Sequence, residues 1–206
     1  MRTLLIALAL LLGTAAPAAA VAPTPLEAGT PLTAVGGGRC LNGFNVRGHL
    51  LVPTSCGPVG TVVGGPGGAV VGTITAVRPT YSVVTITNPA AWVQRPTVAG
   101  APGTITGSAE TAVGGSVCRV GGATGLRCGT VQQKNATVSF PGGTITGLTR
   151  TNLCPDGRDH WVAVFSGSQA QGHVIGGSGS CTSGGTTWFH PLNRVLAAEG
   201  FTLVTG

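Results

Sequence analysis

Charge is scarce in this sequence. Only 8% of its 206 residues are Asp, Glu, Lys or Arg, and five are acidic: Glu27, Glu110, Asp156, Asp159 and Glu199. A chain with so little charge and 42% hydrophobic residues is no solvated disordered tail, and its length is enough to bury a core. Aromatics are also few, with five Phe, three Trp and one Tyr. The arginines stand singly rather than in runs. A formal charge of +6 therefore makes no nucleic-acid footprint, which needs a basic face interleaved with stacking rings. No CxxC pair is present, so the six cysteines give no zinc-site spacing. Sustained helical periodicity is missing until the last segment, and with 36 glycines this points to an all-β chain of short strands and tight turns.

One apolar run stands apart. Met1-Arg2 begins it, Leu4 to Leu12 forms its core, and Ala18-Ala19-Ala20 closes it with small residues. The run is too short to span a bilayer, and the pattern fits a secretory leader over 1–20, removed near Ala20. Without Arg2 the formal charge is +5. Export agrees with the even cysteine count. The six allow fifteen pairings; nearest-neighbour pairing, Cys40 with Cys56, Cys118 with Cys128 and Cys154 with Cys181, is preferred because each bond staples a short loop.

Residues 21–35, rich in Pro and Ala, read as a flexible stub. Beyond them, apolar alternation recurs in GFNVRGHLLV, AVVGTITAV, YSVVTITN, ATVSF, GTITGL, HWVAVF and GHVIGG, each bounded by turn residues. The stretch from Pro89 to Gly107 holds three prolines and no sustained pattern, which divides the chain into lobes at 36–100 and 101–206. Pro191 at a first helical position, LNRVLAAE and Gly200 as the stop predict one C-terminal helix.

Four segments carry a resemblance: RCLNGFNVRGHLLVPTSCG, SVCRVGGATGLRCGTVQQKNATV, GLTRTNLCPDGRDHWVAVFSG and GGSGSCTSGGTTWFHPLNRVLAAEG. From about Gly36 to its C-terminus the chain resembles the streptogrisin and alpha-lytic branch of the chymotrypsin-like serine peptidases. The resemblance implies two antiparallel Greek-key β-barrels with a short C-terminal helix. It also implies a His-Asp-Ser triad, and here the chain departs from the family. Where the family has His before the first-disulfide Cys, as in LTAGHC, this chain reads LVPTSC with Ser55. His49, seven residues before Cys56, is out of register and reads as a strand histidine. Where the family has NDYGIV, the chain reads PTYSVV, with Thr80 for the Asp. In place of GDSGGP stands RDHWVA, so His160 holds the Ser position, and Arg158, Trp161, Val162 and Ala163 replace Gly, Gly, Gly and Pro. Those bulky residues are expected to fill the cleft or turn the loop, because an oxyanion hole of backbone N–H groups relies on glycine there. Ile175 replaces the Ser that supports the family's Asp.

The resemblance further pairs Arg119, next to Cys118, with Asp159 as a buried structural bridge. Asp156 reads as a solvated turn residue. Gly176 and Gly177 match the family's substrate-binding strand, where an extended peptide can add as a strand without any triad.

The reading is a secreted, catalytically inactive peptidase homologue with no catalytic residue. It binds an extended peptide or a protein such as a peptidase inhibitor, as a monomer, without cofactor, metal, nucleic-acid or membrane partner. Two alternatives are weaker. Ser55 as nucleophile with His160 as base has the right residue types, but no carboxylate is evident behind His160. A metal site from His160, Asp156 and Asp159 lacks convergent ligands once Asp159 belongs to Arg119. Roughly 15 residues separate Ala20 from the first alternating segment, against the long pro-segments of the family, so unassisted refolding is expected.

Overall fold

The computed structural model describes residues 22–36, 38–155 and 160–206. The first apolar run, with the expected leader, and Asp156, Arg158 and Asp159 lie outside them. Among the described residues the fold has fourteen strands, two short 3₁₀ turns and one α-helix.

The N-terminal lobe is a six-stranded antiparallel sheet. In chain order it contains β2 (Pro31–Ala34), β3 (Arg39–Leu41), β4 (His49–Val52), β5 (Val62–Gly64), β6 (Val70–Val77) and β7 (Ser82–Ile86). The spatial order is β3-β2-β5-β6-β7-β4. Leu32, Leu50, Val52, Val63, Val71, Ile74 and Val84 fill its core with Trp92. Beside it, β1 (Thr24–Ala28) pairs with β8 (Trp92–Val98). This pair is parallel, a departure from the antiparallel rule elsewhere.

Residues 24–34 are therefore not a flexible stub. Leu26, Ala28, Leu32 and Ala34 alternate inward and are buried, because the short TPLEA and PLTA stretches each find a strand partner. The Pro-containing stretch after Pro89 likewise holds a strand, β8. Pro96 is tolerated there because β8 pairs on one side only.

The C-terminal lobe is a closed barrel of six strands in the order β10-β11-β14-β13-β12-β9. Its members are β9 (Ser116–Gly121), β10 (Gly125–Phe140), β11 (Gly143–Thr151), β12 (Ala163–Ser166), β13 (Gln169–Ser180) and β14 (Gly184–Pro191). Helix α1 (Leu192–Glu199) follows. Pro191 flanks it rather than opening it, and Gly200 ends it at φ 67°, with its N–H donating to the Leu196 carbonyl. No described helix is long and apolar enough to cross a membrane.

All three nearest-neighbour disulfides form: Cys40–Cys56, Cys118–Cys128 and Cys154–Cys181. Between the lobes lies a further apolar cluster that includes Phe44, Leu51, Tyr81, Trp161, Ala163, Phe165 and Leu192. It joins the two lobes through side chains from both.

Candidate functional site

Strand alternation decides what the centre of the molecule looks like. In β13 the side chains of His173 and Ile175 share one face and Val174 takes the other. Val174 packs in the C-terminal core, whereas Ile175 packs against the inter-lobe cluster. His173 follows Ile175 and is completely buried. Its ring stacks on Trp161 with centroids 4.5 Å apart and tilts against Phe44. The Phe44 N–H donates to His173 Nε2 at 2.8 Å. That bond fixes the neutral tautomer with the proton on Nδ1, where no partner is found among the described residues. Burial, reinforced by nearby His190, pushes the His173 pKa down to about 3. Gly43 makes this packing possible, since a Cβ there would collide with His173 Nε2.

Trp161 is the other half of that stack. Its backbone has φ 69°, a left-handed conformation that bulky side chains rarely adopt, and its indole is fully buried. The Trp161 N–H donates to the Val174 carbonyl, and the indole Nε1–H donates to the Leu51 carbonyl at 3.1 Å. Trp161 is thus packed between the lobes, on a backbone that turns into the left-handed region at this position. The positive φ drives the ring into the space between the lobes, where it has about one aromatic side chain's worth of apolar area to bury.

Among the described residues, no hydrogen bond joins Ser55, Thr80 and His160, the expected triad places. Ser55 lies on a short 3₁₀ turn, Thr54–Cys56, and is exposed. His160 is exposed at the edge of the described residues. Neither the Ser55 hydroxyl nor the His160 ring makes a hydrogen bond with a described residue. Thr80, half-buried between β6 and β7, shares a hydrogen bond of 2.5 Å with His190 Nδ1 on β14. Burial, with help from Arg194, pushes the His190 pKa down to about 4, so this partner is a neutral imidazole. Neighbouring Tyr81 donates to Glu199 at 2.8 Å, and Arg78 bridges the same carboxylate at 2.7 Å, tying α1 to the N-terminal lobe. Burial opposes ionisation of Glu199, but the bonds from Tyr81 and Arg78 outweigh it and hold the carboxyl below its usual range.

Arg119 is fully buried, and its guanidinium donates to the Cys154 carbonyl at 2.6 Å and to Thr124 Oγ1 at 3.2 Å. Its expected partner, Asp159, lies outside the described residues, as does Asp156. No group of three His, Cys, Asp or Glu suited to a metal occurs among the described residues. His49 opens β4 and stacks on Phe201 at 4.7 Å, in keeping with a strand histidine.

Gly176 and Gly177 lie on β13 opposite Trp188 and Thr187 of β14. The other edge of β13 is covered by β12 only from Gln169 to His173, with two further bonds reaching Val174. From Ile175 onward, β13 pairs among the described residues with β14 alone. A Cβ at Gly176 would lie 2.5 Å from Phe140 Cε1, so the bare backbone lets that ring rest on the strand. His173, His190 and the inward path of Trp161 escaped the sequence reading. The alternation in GHVIGG, which puts His173 on the face of Ile175, is the signal that could have found the first.

No protein-family model matches the chain. Streptogrisin-C of Streptomyces griseus is 56% identical over 82 residues, 40% of this chain and 18% of that protein. Streptogrisin-A of the same organism is 43% identical over 82 residues, 39% of this chain and 28% of that protein. The chain thus spans less than a third of the length of these curated relatives. Among solved structures, Thermobifida fusca Protease A is 42% identical with a TM-score of 0.76, covering 89% of this chain and all of that one. Cellulomonas bogoriensis chymotrypsin is 34% identical with a TM-score of 0.78 at the same coverage. With two lobes of antiparallel strands, the terminal helix and relatives of this identity matched over their full solved length, the chain belongs to the chymotrypsin-like serine proteases of the streptogrisin and alpha-lytic type.

Proposed function

We propose that this chain is a secreted member of its family that does not hydrolyse peptide bonds and instead holds an extended peptide or protein segment along β13. One observation carries the inactive reading. Thr80, at the place of the family's carboxylate, commits its hydroxyl to His190, while Ser55 and His160 have no hydrogen bond to a described residue. Nucleophilic catalysis requires a nucleophile bonded to a base that a third group orients. A hydroxyl bonded to a neutral imidazole on another strand supplies neither base nor orienter to the cleft. Trp161, in the place of a glycine, makes the loop part of the inter-lobe core. Export is supported by the leader pattern of residues 1–20 and by the three disulfides.

The binding reading rests on the part of β13 that pairs, among the described residues, with β14 alone. A strand edge with free N–H and C=O groups is a template for another strand, and main-chain bonds then supply affinity without a catalytic group. Gly177 is exposed on that strand and brings no side chain of its own to bar the approach of a partner's backbone. The test is selection of binders from a library of extended peptides on the purified chain, followed by N-methylation of alternate amides in the best binder. Strand addition requires a loss of at least tenfold for one methylation register and little for the other. Equal affinity in both registers, or no binder at all, contradicts the proposal.

A further inference from the structure

In the mixed, partly polar pocket beside Thr80 and His190, the groups of Arg78, Thr80, Tyr81, His190 and Glu199 already bond one another. A different cavity is chemically simpler. A pocket of about 240 Å³ opens where the two lobes meet, and none of its lining residues belongs to the triad places or the β13 edge. Leu41, Val98 and Ala99 line it from one side, and Val120, Val162 and Ala163 from the other. Val98, Val162 and Ala163 are buried and form its floor. Gly29, Pro31 and Gly122 complete the wall, so among the described residues no side chain lining the space can ionise or donate a hydrogen bond. Pro31 and Gly122 are exposed and mark the mouth, where a Cβ on Gly122 would meet no atom within 4 Å.

This lining selects its occupant. A buried water needs two to four polar partners, and the walls supply no polar side chain. A charged ligand would be stripped of its hydration with no opposite charge to meet. An uncharged apolar molecule loses nothing on entry and removes apolar wall from water, at roughly 25 cal/mol per Å². A cavity of roughly 150 Å³ lined by apolar residues takes benzene, so the present volume accommodates one ring or two fused rings. Pockets of this kind favour the junctions between lobes, as here.

We propose that the pocket between Leu41, Val98 and Val162 is a binding site for a small, uncharged ring compound. Indole is the probe, and benzoate is its charged control of similar size. Methyl-resolved NMR of the full chain follows the Val98, Val120, Val162 and Leu41 methyl signals while a thermal melt is read in parallel. Indole is expected to shift those signals saturably and to raise the Tm, and benzoate to do neither. Ala99→Leu fills the space from a half-buried position and should weaken indole binding at least tenfold. Gly122→Leu, placed in open space at the mouth, serves if Ala99→Leu fails to fold. Absence of shifts at the solubility limit of indole, equal binding of benzoate, or undiminished binding in whichever variant folds would overturn the proposal.

Discussion

Replacing Trp161 once by alanine and once by glycine separates the packing of this side chain from the strain of its backbone. The indole is fully buried, and removing a buried Trp costs about 3 to 5 kcal/mol. The lost indole bond adds little, because the Leu51 carbonyl keeps a second donor in the Gly43 N–H. Both variants bear these losses. They differ in the backbone: at φ 69° a residue with a Cβ pays about 1 to 2 kcal/mol that glycine does not. The ordinary entropic cost of glycine, about 0.5 to 1 kcal/mol, offsets part of that. Trp161→Ala should therefore cost about 4 kcal/mol and Trp161→Gly somewhat less, by about 0.5 to 1 kcal/mol, reversing the usual order of the two residues in a strand environment. Urea unfolding read by far-UV circular dichroism measures both, with disulfides intact and m-values compared to confirm one transition. A loss under about 1 kcal/mol in Trp161→Ala would show that the ring is not the inter-lobe anchor. Glycine at least as damaging as alanine would show that the left-handed backbone carries no strain.

Three further outcomes follow from named contacts. His173 and His190 have pKa values depressed to about 3 and about 4 from an ordinary 6.5, so the unfolded chain binds more protons than the folded one below about pH 6.5. Stability is complete above that pH and falls as pH drops toward 3, and His173→Gln should flatten the urea midpoint against pH over this window; an unchanged slope contradicts the buried neutral imidazole. Cys154–Cys181 closes a loop of 27 residues, and its loss should cost about 3.6 kcal/mol, against about 2.7 kcal/mol for Cys118–Cys128 with 10, measured as paired Ala variants; the reverse order contradicts the loop-closure account. Ser55→His with His160→Ser is expected to stay inactive, since loss of the triad carboxylate alone costs about 10⁴ in rate and Thr80 faces His190. Turnover of an activated ester by this double variant, without Thr80→Asp and a glycine-rich loop, counts against that account.

Legibility followed the physics of each element. Strands with strong apolar alternation, such as β6, β7 and β13, stand out in the sequence because each buries one face. β1, β2 and β8 did not, being short or interrupted by proline, with their burial supplied by partners distant in the chain. Cysteine pairs were readable from spacing. The assignment of Ser55, Thr80 and His160 to the expected triad places rests on register against the family, and register carries no information about their partners. The Thr80–His190 bond joins residues 110 apart in the chain, and it forms because the turn between β6 and β7 meets the end of β14. For Trp161 too, volume in a loop says nothing of direction, and the direction is set by the positive φ.

The absence of a working nucleophile is tested most directly with a fluorophosphonate serine reagent applied to the purified, disulfide-intact chain, with intact-mass and peptide mapping and with Ser55→Ala in parallel. A base-activated serine reacts stoichiometrically, whereas a hydroxyl without a bonded base does not. The account expects no adduct on either protein over a time in which a streptogrisin is fully labelled. A stoichiometric adduct on Ser55, lost in Ser55→Ala, would contradict it.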